Sequence, residues 1–409
     1  MKKVAVIGGG AAGCMAACAA AGNGAQVTVF ERQDKCARKI YATGNGRCNL
    51  TNLCRKKEAY HTQADPECAE RFHALWDGRA SDAVMSFFES EGVLLHDRAG
   101  YVYPRTEKAE TIAQALLKRM HRSGVQCVPD TRICAAVYEE KQFLLQTNAG
   151  RQPFDRLIIA CGGKVSRAFG CTGDGTALAK GFGLSCVPEV PALVPLLTDD
   201  PAIKAAKGVR TAAQVRIADA CETGEVQFTE TGISGIPVFQ VSAAAARWLS
   251  NGKQTTAVIN FLPEYNAEQA LAIFRRHEQL CYEDPNATLH SLFDGIVPSG
   301  IASFLIRRNG FSDEKKIRNL DDRERVCRKL LCGLLRTEIG ITGTAGFERA
   351  QVTSGGVRLS QISENFEAFR RKGLFLAGEV LDLDGICGGY NLTLAMYSGM
   401  QAGRTAALT

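Results

Sequence analysis

The sequence predicts an α/β fold. A parallel, nucleotide-binding sheet begins at the N-terminus, is interrupted by a long insertion, and is completed near the C-terminus. Three observations carry this reading. The first 31 residues form a strand, a glycine turn, a helix and a second strand. Strand and helix patterns then alternate as far as Pro188, where the alternation stops. Glycine-rich strand ends return after Phe347.

The opening unit is the most specific. Val4-Ala5-Val6-Ile7 reads as a strand buried on both faces. It runs into Gly8-Gly9-Gly10-Ala11-Ala12-Gly13, then a small-residue helix from Cys14 to Ala21, then a strand from Val27 to Phe30 that ends at Glu31. GxGxxG between a strand and a helix is a dinucleotide fingerprint. Gly8 permits the turn, Gly10 lets the backbone approach a pyrophosphate, and Gly13 lets the helix lie close to the sheet. The helix start offers free N–H groups and the positive end of its dipole. Glu31 suits a ribose with a free 2′-hydroxyl and would repel a 2′-phosphate. NADP is therefore disfavoured at this position, while FAD and NAD both stay open.

Bulk properties narrow the class. A chain of 409 residues holds two or three domains, and 45% hydrophobic with 22% charged residues is ordinary for a soluble globular protein. No run of eighteen apolar residues occurs, so no transmembrane helix and no membrane partner are expected. Met1-Lys2-Lys3 leads straight into the first strand without an export signal. The sixteen cysteines form no CxxC pair and no compact framework, which predicts reduced thiols in a cytoplasm. Cys14, Cys18 and Cys161 sit among small or apolar residues and read as small hydrophobes. Cys327 and Cys332 have a CxxxxC spacing, but on an amphipathic helix far from the nucleotide unit, so no redox role is assigned. Six dispersed histidines predict no metal site. The formal charge of +6 comes from groups such as Arg55-Lys56-Lys57 and Arg370-Arg371-Lys372 interleaved with acids, which reads as a solvated surface.

Along the chain, Arg38-Lys39-Ile40 and the polar loop Thr43 to Asn52 could cradle an anion and bring backbone amides to a flat ring. Helices are expected over 66–92 and 106–123, with a short strand pair at Gly100 to Pro104. Val125 to Val128, Ile133 to Tyr138 and Phe143 to Gln146 read as a three-stranded meander. Arg156 to Ala160 is a strand ending in Cys161-Gly162-Gly163, small residues suited to close contact with a cofactor. Thr172 to Thr176 lead a helix from Ala177 to Gly183. Pro188, Pro191, Pro195 and Pro201 then break the pattern. Short strands at Val215 to Ile217, Glu225 to Phe228 and Val258 to Phe261 predict a small antiparallel barrel or sandwich, and 266–340 reads as mostly helical. The first fold resumes with strands at Phe347 to Thr353 and Gly373 to Glu379, a glycine loop from Gly385 to Gly389, and a helix from Asn391 to Leu408 with Ala395, Ser398, Gly399, Ala402 and Gly403 along it.

Taken together, Gly8–Gly13 with Glu31, Arg38–Ile40 with Gly44–Asn52, Cys161–Gly163 with Thr172–Gly175, Val352-Thr353 with Gly355–Val357, and Gly378–Leu392 span almost the whole chain. In this order they resemble the FAD-binding flavoproteins labelled aminoacetone-oxidase-like or BaiN/YhiN-type, within the glutathione-reductase-like superfamily. The blocks Gly46-Arg47-Cys48-Asn49 and Gly388-Gly389-Tyr390-Asn391 are the most specific. The resemblance implies FAD and a Rossmann-like domain built from both chain ends, residues 1–188 and 346–409. It implies an inserted β-barrel-like domain over 189–262 and about 333–345, and a helical insert over 263–332. It places Gly8, Gly10, Ala12 and Gly13 at the pyrophosphate and Glu31, beside Arg32, at the adenosine ribose. Lys39 belongs near the phosphates and Ile133 at the adenine. Gly46, Arg47, Cys48 and Asn49 with Gly389, Tyr390, Asn391 and Leu392 line the flavin, and Cys161, Gly162, Gly378 and Glu379 complete the cofactor set. The wider superfamily ends its late strand in Gly-Asp. Here the pair is Gly378-Glu379, with Asp382 and Asp384 close by, so the acid that meets the flavin-side chain of FAD stays open. The last helix would aim its N-terminus at negative charge on a reduced flavin.

These expectations describe a FAD-dependent oxidoreductase that moves hydride between NAD(P)H or an organic substrate and the flavin. With a single complete fingerprint, NAD(P)H would be a transient visitor. Cys171-Thr172-Gly173-Asp174-Gly175 is similar to a loop of fumarate-reductase-type flavoproteins and hints at reduction of a C=C bond, as in a hydrophobic enone; an amine substrate stays open. The pocket is expected between the insertion and the flavin, at a domain junction. Arg47 and Tyr390 are the catalytic candidates, against simpler roles in phosphate neutralisation and packing. Two other readings compete. One is a flavin-dependent RNA-modifying enzyme, drawing on Arg307, Arg308, Lys315, Lys316, Arg318, Arg323 and Arg325, whose field is blunted by Asp313, Glu314, Asp321, Asp322 and Glu324. The other is a flavin-binding sensor without turnover. A nucleic-acid partner is disfavoured, and the oligomeric state is not legible.

Overall fold

Five strands lie side by side, all parallel, in the order Leu374–Leu376, Arg156–Ile159, Lys3–Ile7, Gln26–Phe30, Gln126–Val128. The first strand of the chain takes the centre because Val4, Ala5, Val6 and Ile7 have no polar side chain to keep in water; all are at most 4% exposed. This computed structural model describes residues 1–147 and 150–409. It divides into two units, Met1–Glu189 with Val352–Thr409, and Val190–Gln351.

In the first unit, helix Ala11–Gly22 packs along helix Tyr390–Leu408 with almost no side chain between them. A Cβ on Gly399 would fall 2.2 Å from the carbonyl oxygen of Ala12, and one on Gly403 would fall 2.2 Å from that of Ala16. The small residues of the last helix thus bring two backbones into contact.

Several elements differ from the sequence expectation. Gln126–Val128 is not part of a meander; it pairs in parallel with Gln26–Phe30 at the edge of the main sheet. The meander exists with other members, Ala136–Glu139, Gln142–Thr147 and Gly150–Phe154. Its first turn is tight because Glu140 and Lys141 both adopt left-handed backbone angles. Ile133 lies in the connection before it, buried but outside any strand. The helix expected over 66–92 is broken into Pro66–Glu70, a turn at His73–Leu75, and Arg79–Ser90. Gly78, at φ +99°, imposes the second break. The helix expected from Ala177 starts earlier, at Asp174, whose carboxylate sits in the first turn where the dipole favours it. The late strand is Val352–Val357 rather than Phe347 to Thr353; Gly355 and Gly356, both at positive φ, let it pass close to the carbonyls of Pro188 and Val380.

The second unit holds a seven-stranded antiparallel sheet in the order Thr337–Ile341, Thr255–Asn260, Arg210–Ile217, Ala220–Phe228, Gly232–Ser234, Leu196–Leu197, Gly343–Thr344. Only Thr342 separates the two outer strands along the chain, so the sheet has to curl back on itself. Helix Ile236–Ser250 went unread in the sequence, where 236–250 lay inside a stretch expected to be strands. Its buried Val238, Val241, Ala245 and Ala246 follow a helical period. Helices Ala267–Glu283, Ser299–Arg308 and Arg323–Leu335 complete the unit. Cys327 is buried and Cys332 exposed on the last of these, and both are free thiols. No described helix is long and apolar enough to cross a membrane.

Candidate cofactor site

The main sheet gathers four strand ends at its carboxyl edge: the turn after Ile7, Glu31, Cys161-Gly162-Gly163, and Gly378-Glu379. In open parallel sheets this edge is where ligands bind. The glycines of the first turn are needed for different reasons. A Cβ on Gly8 would lie 2.5 Å from the carbonyl oxygen of Ala160, and one on Gly13 would lie 1.8 Å from that of Gly8. Both are required by the protein itself. Gly10 is not: its backbone, at φ −78° and ψ −168°, is open to any residue, and a Cβ there would meet no protein atom within 4 Å. A glycine with no internal reason, at the half-buried start of a helix, fits a phosphate group brought against the backbone. The residues present therefore suit a dinucleotide at this edge.

Glu31 is held beside the turn. Its carboxylate accepts the N–H of Gly9 at 2.7 Å and that of Gln33 at 2.8 Å. Arg32 does not point the same way. It donates to Thr172 Oγ1 at 2.7 Å and to the carbonyl of Gly170, and pairs with Asp174 at 3.4 Å. Arg132, just before Ile133, adds a two-pronged pair to Asp174 at 2.8 Å. The Arg132 hydrogen bond, above all, holds the Asp174 carboxyl below its ordinary value of 3.8. This clip contributes to stability above that value and is lost as pH falls through the lower folded value. Asp174→Asn is expected to flatten the acid limb of the stability profile below about pH 4 while leaving stability near pH 9 little changed beyond its constant offset. Urea melts across that range measure this, and an unaltered acid limb would contradict it.

Lys39 and Glu379 come from opposite ends of the chain and meet at 3.0 Å. Glu379 also accepts the N–H of Thr353 at 2.8 Å. Burial by itself pulls the Lys39 amine down, but the Glu379 carboxylate prevails and holds it above the usual lysine range. Cys161 donates to the carbonyl of Ile7 at 3.4 Å, and burial pushes its thiol up to about 12. Gly378 stands at φ +76°, with its N–H donated to Ser398 Oγ at 2.8 Å; a Cβ there would crowd Ala12 at 2.9 Å.

The two blocks expected at the flavin are tied to each other. Thr51 and Thr393 share a hydrogen bond at 2.6 Å, and Asn52 donates to the carbonyl of Gly388 at 2.9 Å. A Cβ on Gly389 would strike the backbone of Thr51 at 2.7 Å. Asn391 locks the glycine loop, accepting the N–H of Gly385 at 2.8 Å and donating to its carbonyl at 2.7 Å. On the facing loop Gly44, Asn45, Gly46 and Cys48 all take left-handed angles. Such a backbone is costly for Cys48, by about 1–2 kcal/mol, and is typical of ligand-holding loops. Cys48 is fully buried, and its thiol is raised to about 12 by that burial, so it serves as packing.

The catalytic candidates fare differently. Tyr390 is buried; its hydroxyl donates to the carbonyl of Cys54 at 3.1 Å and its ring packs edge-on against Tyr60 at 5.6 Å. Burial raises its phenol above the ordinary range. Arg47 is 58% exposed and lies 4.0 Å from Glu107. Of the two other acids, Asp384 pairs with Ser354 and His61, and Asp382 accepts from Thr62 and Gln63. Thr51, Thr353, Ser398 and Asp174 lay inside the stretches read from the sequence, but their hydrogen bonds, and the pairing of Arg132 with Asp174, were not foreseen. Their partners lie far away along the chain, and no local pattern names a partner.

The fold defines the class: a Rossmann-type protein whose parallel sheet is completed by both chain ends. The chain belongs to the HI0933-like family, whose description "HI0933-like protein Rossmann domain" matches residues 2–405. A 3-dehydro-bile acid delta(4,6)-reductase of Clostridium scindens is 39% identical over 420 positions, covering 100% of this chain and 99% of its own. A ribosomal RNA dihydrouridine synthase of Haemophilus influenzae is 29% identical, covering 96% of this chain and 95% of its own. Among solved structures, a 3-ketosteroid-delta4-(5alpha)-dehydrogenase of Rhodococcus jostii RHA1 shares the fold, with a TM-score of 0.52 at 16% identity over 99% of this chain and 97% of that one. The protein is thus a flavoprotein oxidoreductase built on a FAD-binding Rossmann domain.

Proposed function

We propose that this protein reduces a C=C bond conjugated to a ketone on a steroid-like substrate, with FAD as the hydride carrier and NAD(P)H as the source. The observation that carries the reading is the end-to-end likeness to the Clostridium scindens reductase, at 39% identity with both chains covered. Bound FAD would accept and pass on a hydride. The chain's own residues would do the rest. Gly8, Gly10 and Gly13 with the helix N-terminus would hold the pyrophosphate, and Glu31 the ribose. Lys39, anchored by Glu379, would add positive charge near the phosphates. Gly46 to Asn49 and Gly389 to Leu392 would frame the ring, and the start of helix Tyr390–Leu408 would favour negative charge on it when reduced. Tyr390, with its hydroxyl given to Cys54, would frame rather than transfer protons.

The test is direct. Protein loaded with FAD and reduced under anaerobic conditions is mixed with a 3-oxo-4,6-diene bile acid. Reoxidation of the flavin together with loss of the conjugated enone absorbance is expected. A flavin that stays reduced through many equivalents would sink the proposal. A dihydrouridine is also the product of reducing a C=C bond next to a carbonyl, so the Haemophilus influenzae relative supports the same chemistry on a second substrate. RNA is the less favoured substrate here, because that relative is the more distant one, at 29% identity, and four of the cations of 301–332 are held in ion pairs. Arg307 pairs with Asp313, Arg308 with Asp200, Arg323 with Glu278 and Arg328 with Glu324.

A further inference from the structure

A small sheet in the first unit carries, on one face, side chains that the site described above does not use. It consists of Thr51–Asn52, Tyr101–Pro104 and Leu95–Arg98. Successive residues on a strand point to opposite faces. Val102 and Pro104 are buried, so Tyr101 and Tyr103 point the other way. The register sets Arg98 opposite Tyr101 and His96 opposite Tyr103, and opposed side chains share a face. One face therefore bears two tyrosines, a histidine and an arginine, with the His96 and Tyr103 rings 6.2 Å apart.

Two residues from outside the sheet join this row. Glu107 lies 2.9 Å from Arg98 and 2.7 Å from His96, and Arg47 of the loop expected at the flavin lies 4.0 Å from it. Glu107 is held there at φ +55°, a strained backbone for a glutamate. Arg47 and Arg98 stay 58% and 57% exposed. The two guanidiniums face one carboxylate, so the face keeps a surplus positive charge while its rings stay accessible. The row also reaches the other block expected at the flavin. A Cβ on Gly388 would touch the Tyr101 ring at 2.9 Å, and Asn52, opposite Tyr101, holds the carbonyl of Gly388.

Aromatic rings interleaved with arginines, beside both flavin blocks, match a ligand that alternates flat rings with phosphates. The surplus charge is small, which suits one or two phosphates and not a polyanion. We infer that this face seats the reduced nicotinamide dinucleotide. Tyr101 and Tyr103 would take a ring, and Arg47 and Arg98 the pyrophosphate, with Glu107 surrendering Arg98 on binding. The inference rests on the proposed use of NAD(P)H. In the transfer itself one hydride leaves the dihydronicotinamide for oxidised FAD and the pyridinium departs; the face supplies placement alone.

The test titrates FAD-loaded protein with NAD⁺ and NADP⁺, unreactive probes, by calorimetry. Saturable binding to the wild type is expected, weakened about tenfold by Arg98→Ala with FAD content and melting unchanged, partly restored in Arg98→Lys, and weakened to a similar extent by Tyr101→Ala. Anaerobic stopped-flow reduction by NADH and NADPH runs in parallel. Reduction whose nucleotide affinity ignores Arg98 and Tyr101 overturns this face and spares the donor. Binding that depends on Arg98 without any flavin reduction spares the face and removes the donor. Absence of nucleotide binding, or binding by this face only of RNA or a steroid carboxylate, overturns the inference.

Discussion

Gly10→Ala is expected to give a protein that folds normally and fails to keep its flavin. The added methyl meets no protein atom within 4 Å and the backbone there already suits alanine. The apo-protein should therefore melt with the wild type. A methyl projecting toward the phosphates would cost binding about 1–3 kcal/mol, or roughly 5- to 150-fold in FAD affinity. Flavin retained per chain after purification, FAD titration of the apo-protein, and the apo melting temperature measure the two halves. A yellow Gly10→Ala protein with wild-type affinity would remove the pyrophosphate from this turn. Gly13→Ala makes the contrast: its methyl would sit 1.8 Å from the carbonyl of Gly8, so the fold itself should suffer.

The second large effect belongs to the helix pair. Gly399→Val would drive a branched side chain into the backbone of Ala12, where even a Cβ falls at 2.2 Å. We expect a loss of about 3 kcal/mol in the first unit, and its melting to fall by roughly 6–12 °C. Ala12 lies two residues beyond Gly10, so flavin release should accompany the loss. Gly181→Ala serves as control: its methyl would meet nothing within 4 Å in helix Asp174–Gly181, and helix propensity should add up to about 1 kcal/mol. Equal melting of Gly399→Val and wild type in thermal denaturation would show that the helices stand further apart.

The parts of the fold legible in the sequence were those whose cause is local. The first strand, the glycine turn and Glu31 declare themselves because a turn, a helix start and a strand end impose residue types within a few positions of one another. The small-residue helix at the end is legible for the same reason. What failed depended on distant partners. Gln126 to Val128 has the composition of any short strand, and only the exposed flank of Gln26–Phe30 decides that it joins the parallel sheet. Helix Ile236–Ser250 carries proline and β-branched residues at its start, which mimic a strand until its buried face is known. The loops at Gly46 to Asn49 and Gly389 to Leu392 were recognised as blocks, but the Thr51–Thr393 and Asn52–Gly388 bonds that join them could not be read from either. Arg32 stood next to Glu31 in the chain, yet the loop at Gly170 to Asp174 draws it away. Adjacency in sequence said nothing about direction.

The contact between helix Ala11–Gly22 and helix Tyr390–Leu408 sets a timetable for biosynthesis. Gly13 and Tyr390 are 377 residues apart, 390 less 13. At ~5–20 residues per second, a ribosome needs roughly 20–75 s to travel that distance. For nearly all of that interval the nascent phosphate turn has neither its covering helix nor the edge strand Leu374–Leu376. A flavin site that needs this helix pair therefore waits until residues 390–408 have been made, long after its own glycine turn.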